Sequence, residues 1–308
     1  PSSGASKTGA AIYGGMPSLT DRISEKAWGP AAGTPSANDT SVFSSVNFGQ
    51  KPFKYAPPEG YQPWNTANVR PETVITRPDQ FVGIATYTGN STGQFIPMGM
   101  KPDFLWIKSR TNSGSHAIQD SVRGSAKQLQ SNTTNEQSTN SATAGVLSFD
   151  LNGYTLGTES SATGSTNGSQ SYVAWGWKAG GGKPSGGGFF KDDVEYASAA
   201  AAGLGGGSMT LTGASVGTKQ GFSIVTYQGT NSNESIPHGL GSVPAFYICK
   251  ATGDSGYTDS WNVYHQSLGN AAYLKLQDSA AATTGSTIWN STSPTDSLFY
   301  VASNSNAR

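Results

Sequence analysis

The three histidines, the single cysteine and a few clustered carboxylates are the residues of this chain whose types could do chemistry. His116 stands close to Asp120 and Ser121, the types that a serine hydrolase combines as base, orienting acid and nucleophile. Such a triad is defined by geometry, and serine is abundant throughout the chain. The chain also repeats itself, and in the second copy Trp261 stands for His116 and His265 for Asp120, which argues against a shared catalytic role. His238 follows Pro237 in a turn whose counterpart holds Met98, so the position does not demand a metal ligand. Asp192, Asp193 and Glu195 could offer oxygens to Ca²⁺, but no DxDxDG-type loop surrounds them, and a solvated acidic turn is expected. Gly180-Gly181-Gly182-Lys183-Pro184-Ser185 lacks the spacing and following helix of a phosphate-binding loop, and Pro184 would block one. Cys249 answers Ile107 in the repeat and is expected to be a buried strand residue behaving as a small hydrophobe. No catalytic, cofactor-binding or metal-binding residue is assigned.

The elements around these residues read as β-structure. Ile84–Lys108 returns as Ile224–Lys250: Tyr87, Gly89, Ile96, Pro97 and Gly99 match Tyr227, Gly229, Ile236, Pro237 and Gly239 at one constant spacing. After small insertions Pro102, Phe104 and Lys108 match Pro244, Phe246 and Lys250, and Gly124 and Leu129 match Gly269 and Leu274. One domain is used twice. The short apolar run Phe104–Ile107 predicts a buried strand, and Val146–Gly157 predicts a hairpin turning at Asn152-Gly153, where both residues tolerate positive φ. Tyr172–Trp177 predicts a closing strand. Its large residues Val173, Trp175 and Trp177 share one face and are expected to form core, the alternative being an exposed ligand platform. The second copy holds nothing that matches this strand. The expectation is that the polypeptide runs on past Arg308 to supply it or that a neighbouring subunit donates one.

Composition supports the same class. There are 40 glycines, and only 12% of residues are charged, against about 25% in ordinary globular proteins, so Ser, Thr, Asn and Gln cover the surface and favour turns. Nineteen basic residues balance nineteen acidic ones without a basic run, which argues against a nucleic-acid partner. No long apolar stretch predicts membrane insertion, one cysteine excludes an internal disulfide framework, and no signal peptide is visible. The chain opens without an initiator Met and is expected to be an internal fragment. The predicted fold is all-β, as tandem β-sandwich or jelly-roll domains joined by a Gly/Ala-rich linker. The expected segments are 1–70 (an N-terminal segment), 71–183 (first repeat), 184–219 (linker, with Phe189, Phe190, Val194 and Tyr196 docking on a domain) and 220–308 (second repeat, incomplete).

Two stretches carry a resemblance. Asn47–Asn68 resembles the closing strands of SPRY-type sandwich domains of tailed-phage proteins. The repeated unit resembles a phage domain of unknown function through Thr86–Asn90 (TYTGN), Asp103–Arg110 (DFLWIKSR), Asp120–Gly124 (DSVRG), Ser148–Gly157 (SFDLNGYTLG) and Tyr172–Gly181 (YVAWGWKAGG). The resemblance implies a structural protein located in the virion, a tail fibre or similar appendage contributing to host attachment. Its implied partners are other virion subunits, further copies of itself (a trimer by analogy) and a glycan or protein receptor on the host surface. A capsid-decorating fibre or horn is the alternative within the particle. A glycan hydrolase or esterase and a bacterial surface adhesin are the alternatives from other classes.

Overall fold

A computed structural model describes residues 75, 77–158, 169–253, 259–285 and 288–303. The segment 1–70, with its SPRY-like stretch, lies outside the described residues. The first unit contains β1 (Val82–Thr88), β2 (Gln94–Pro97), β3 (Phe104–Ser109), β4 (Ala117–Asp120), β5 (Gly124–Leu129), β6 (Ser138–Thr139), β7 (Val146–Asp150), β8 (Gly153–Leu156) and β9 (Ser171–Trp177). A six-stranded sheet in the order β1-β9-β3-β4-β5-β6 accompanies a three-stranded sheet in the order β2-β8-β7. Leu105, Ile107, Ala174 and Tyr172 of the larger sheet share one buried core with Ile96, Val146, Phe149, Tyr154 and Leu156 of the smaller. This is a β-sandwich, its two apolar faces closed on each other.

The chain continues through β10 (Gly188–Lys191), β11 (Val194–Tyr196), β12 (Leu211–Gly217), β13 (Phe222–Tyr227), β14 (Glu234–Pro237), β15 (Phe246–Cys249), β16 (Asn262–His265), β17 (Ala272–Lys275), β18 (Thr283–Thr284) and β19 (Leu298–Val301). Strands β13 to β18 follow the order of β1 to β6, and β19 stands where β8 does. Three sheets result, β11-β10-β12-β13, β15-β16-β17-β18 and β14-β19. Their core holds Leu211, Val216, Ile236, Cys249, Tyr264, Trp289, Phe299 and Val301. The architecture is all-β and tandem.

The burial of β9 reverses one expectation. Tyr172, Ala174 and Gly176 are its buried residues, whereas Val173, Trp175 and Trp177 are only half-buried on the outer face. Strand β1 is built the same way, with Gly83 and Ala85 inside and Val82 and Ile84 outside. The opposing layer decides this. Met98 lies over both strands, and a Cβ added at Gly83 or Gly176 would collide with its side chain. Where a long side chain descends from the opposite sheet, only small residues fit beneath it.

Two glycine-based expectations are corrected for a related reason. The hairpin between β7 and β8 exists, but Asp150 pairs with Gly153, so Leu151 and Asn152 form the loop and neither has positive φ. Gly153 belongs to the strand, and a Cβ there would strike the carbonyl oxygen of Ile96 on the paired strand β2. The segment 184–219, expected as a Gly/Ala-rich linker, contains β10, β11 and β12. Just before it, a Cβ at Gly180 would strike the Val216 carbonyl and one at Gly182 would strike Ser121, and within it one at Gly186 would come within 2.6 Å of Arg123 main chain. These glycines permit close passage rather than supplying slack.

Candidate functional site

The residues that could have formed a triad do not converge. His116 accepts a 2.7 Å hydrogen bond at Nδ1 from the Trp106 indole, which places its own proton on Nε2. Burial, followed by the charge of Lys108, lowers its pKa and favours this neutral form. Asp120 accepts from Arg123 Nε at 2.6 Å and from the main-chain N–H groups of Val122 and Arg123, capping the turn after β4. Ser121 donates toward Asp103 at 3.2 Å. Each group is occupied by a different neighbour. In the second unit Trp261, at the His116 position, donates its indole N–H to the carbonyls of Gln130 and Thr133 in the first unit, at 3.0 Å each. His265 accepts from the Ser267 N–H, repeating the turn cap of Asp120.

The remaining candidates also have local partners. His238 is buried, contacts the Thr295 carbonyl through Nε2 and accepts from the Leu240 N–H at Nδ1, and burial lowers its pKa. Asp192 accepts from Thr218, Asp193 pairs with Lys178 at 2.6 Å, and Glu195 pairs with Lys183. Among the described residues no group of three His, Cys, Asp or Glu side chains is placed to hold a metal ion. Cys249 is buried on β15, and burial pushes its thiol up to about 12, so it stays protonated.

One buried charge organises the junction of the units. Asp103 is 1% exposed, and its Oδ2 accepts from the N–H groups of Ala179 and Gly181 at 2.8 and 3.1 Å. Burial raises its pKa, while those donors and Ser121 oppose the rise. Ser215 on β12 donates to the Gly181 carbonyl at 2.6 Å and accepts from the Gly180 N–H at 2.9 Å. The carboxylate thus fixes the main chain leaving β9, and β12 holds it from the other side. Sequence reading missed Asp103, because nothing in its spacing distinguishes it from a solvated turn residue.

The feature best suited to an external contact is the outer face of the six-stranded sheet. Ile84, Trp175, Trp106 and Ile118 lie opposite one another across β1, β9, β3 and β4. At one end Ile118 is buried with Leu129 and Trp261, joined by Trp106 and Ile248 at the contact with the second unit. At the other end Ile84 is 65% exposed and Val82 is 43% exposed. The row therefore runs from an interior contact into solvent, with two indoles half-buried along it. Such an apolar strip can stack on flat ligands or seat a partner side chain.

A family described as a domain of unknown function, DUF7483, matches residues 77–189 and again 193–308. The chain belongs to this family through both of its units. No curated protein and no solved structure matches it.

Proposed function

We propose that this tandem of DUF7483 units is a structural protein of a tailed-phage virion, part of a tail fibre or similar appendage that contributes to host attachment. The observation that carries the reading is the clamp between the units. Trp261 and Asp103, with the enclosed glycines, couple the two sandwiches where a free linker would leave them independent. A projecting appendage has to hold its domains in register, and a neutral, charge-poor surface limits nonspecific adhesion. The motifs shared with phage repeats and the SPRY-like stretch at Asn47–Asn68 support the same assignment. Its partners are other virion subunits, further copies of the chain (a trimer by analogy) and a glycan or protein on the host surface. The row from Ile84 to Trp106 is the contact surface for that host ligand.

Gold-labelled antibodies against the chain, applied to particles purified from the culture that produces it, test the reading. Label on a tail appendage is expected. Label on the capsid would assign the chain to a decorating fibre, and a chain confined to the soluble lysate would overturn a virion role. Attachment is tested separately with purified chain, which should bind host cells and compete with particle adsorption.

A further inference from the structure

A cleft of about 400 Å³ opens where the main chain leaving β9 passes the turns that follow β10 and β12. Small-molecule sites span about 300–1,000 Å³. Asp192 and Asp193 form the two-residue turn between β10 and β11, since Lys191 pairs with Val194. Their N–H groups donate to the carbonyls of Val216 and Gly180 at 2.9 and 2.8 Å, so both carboxylates project from a pinned main chain. Thr218, Lys219 and Gln220 come from the turn between β12 and β13, and Lys178 directly follows β9. Phe81, just before β1, supplies the apolar wall, and it also borders a smaller recess of about 70 Å³ beside Val82, Trp177 and Phe222.

The polar groups of the cleft are partly engaged and partly available. Asp192 is occupied, accepting from the Thr218 N–H and hydroxyl at 2.8 Å each. Asp193 takes Lys178 on Oδ2 at 2.6 Å, which leaves Oδ1 as an acceptor. Gln220 uses both protons of its amide on the carbonyls of Lys178 and Ala179, at 3.1 and 2.7 Å, so its Oε1 is a second acceptor. Lys219 makes no ion pair among the described residues, and its ammonium lies 5.6 Å from the centre of the Phe81 ring. Two lysines balance two aspartates here, so the net charge favours neither an anion nor a cation. We propose that this cleft binds a neutral pyranose sugar. A hydroxyl both donates and accepts, so neighbouring hydroxyls of one ring satisfy Asp193 Oδ1, Gln220 Oε1 and the Lys219 ammonium together. The C–H face of the same ring packs on Phe81 and keeps that apolar surface from water. The acidic turn alone would not specify this ligand; the two acceptors, the unpaired ammonium and the aromatic wall do so jointly. The site is separate from the row between Ile84 and Trp106 and is independent of the virion reading.

The test titrates the isotopically labelled 308-residue chain with D-glucose, D-galactose, D-mannose and N-acetyl-D-glucosamine and follows the amide resonances. At least one sugar should bind saturably with a Kd of about 1 mM. Shifts should concentrate at Lys178–Gly181, Asp192, Asp193 and Thr218–Gln220. Lys219→Ala, at an exposed position, and Asp193→Asn, which keeps a residue tolerant of the turn, should each weaken binding by about tenfold. Both variants should keep the parent melting temperature. Leu151→Ala, on the exposed loop between β7 and β8, should bind as the parent does. Saturable binding by none of the four sugars would overturn the assignment. So would shifts confined to the row between Ile84 and Trp106, or unchanged affinity in either cleft variant. D-glucuronate or glycine betaine binding tenfold tighter than every neutral sugar would make the site ionic and overturn it as well. Labelling of the particle and sugar binding are read separately, so either can fail without the other.

Discussion

The two units share a strand order and differ, among the described residues, in the strands that pair with β1 and with its counterpart β13. In the first, β9 knits β1 to β3, and Asp103 secures the main chain beyond it. In the second, no strand among the described residues pairs with both β13 and β15, and a cluster of large rings fills the core. Trp289 is fully buried there, with Tyr247 at 4.9 Å and Tyr264 at 6.0 Å. The equivalent lysines keep one role in both units, Lys108 and Lys250 each donating to the following carbonyl at 2.7 Å.

The comparison is sharpest at tryptophan. Trp289→Ala should destabilise the protein by about 4 kcal/mol, since it removes a large buried ring from the core. Trp175→Ala, on the half-buried outer face, should cost only about 1 kcal/mol, against the larger loss that a core position would give. Paired denaturant melts decide it, and equal losses would put Trp175 back in the core. If the outer row contacts the host, Trp175→Ala should also weaken cell binding while the protein remains folded.

Asp103→Ala removes the acceptor for two main-chain donors at the junction and should cost about 3 kcal/mol. Its counterpart change in the second unit, Ala245→Ser, should be nearly neutral because Ala245 is exposed and has no acceptor in its side chain to lose. A neutral Asp103→Ala would show that the junction does not depend on the carboxylate. Gly180→Ala comes next, at about 2 kcal/mol, because its Cβ meets the Val216 carbonyl. A glycine in open space would accept that substitution without loss. Gly205→Ala, where a Cβ meets nothing within 4 Å, is the matched control and should leave the melting temperature unchanged.

The smallest effect is on pH dependence. His116 in the first unit and His238 in the second both have pKa values lowered by burial. The unfolded chain therefore takes up their protons first on acidification. Their stabilising contribution is full above the ordinary histidine pKa of about 6.5 and is lost as pH falls through the folded values. Melting temperature should fall between pH 7.5 and pH 5, by about a few degrees, and the slope should flatten when both residues are changed to Gln. An unchanged slope in that double variant would show that other groups govern the acid limb.

Much of the organisation was legible in the residues themselves. Recurrence of Tyr87, Ile96 and Pro97 as Tyr227, Ile236 and Pro237 marks one domain used twice, and short apolar runs between turn residues mark an all-β chain. Cys249 could be placed in a strand because its equivalent is Ile107. These readings rest on local spacing, which survives without knowledge of what lies opposite. The inward face of β9 was not available in that way. Alternation separates Trp175 from Ala174 but does not say which points inward, and Met98, contributed by the other side of the sandwich, left room only for the small residues. Glycine was ambiguous for the same reason. A glycine that turns, one that flexes and one beneath a neighbouring carbonyl are identical in sequence, and only the position of Ile96 or Val216 assigned Gly153 and Gly180 to close packing. Sequence determined the periodicities and the repeat; tertiary structure decided the sidedness of the strands, because sidedness depends on the volume the opposite layer already fills.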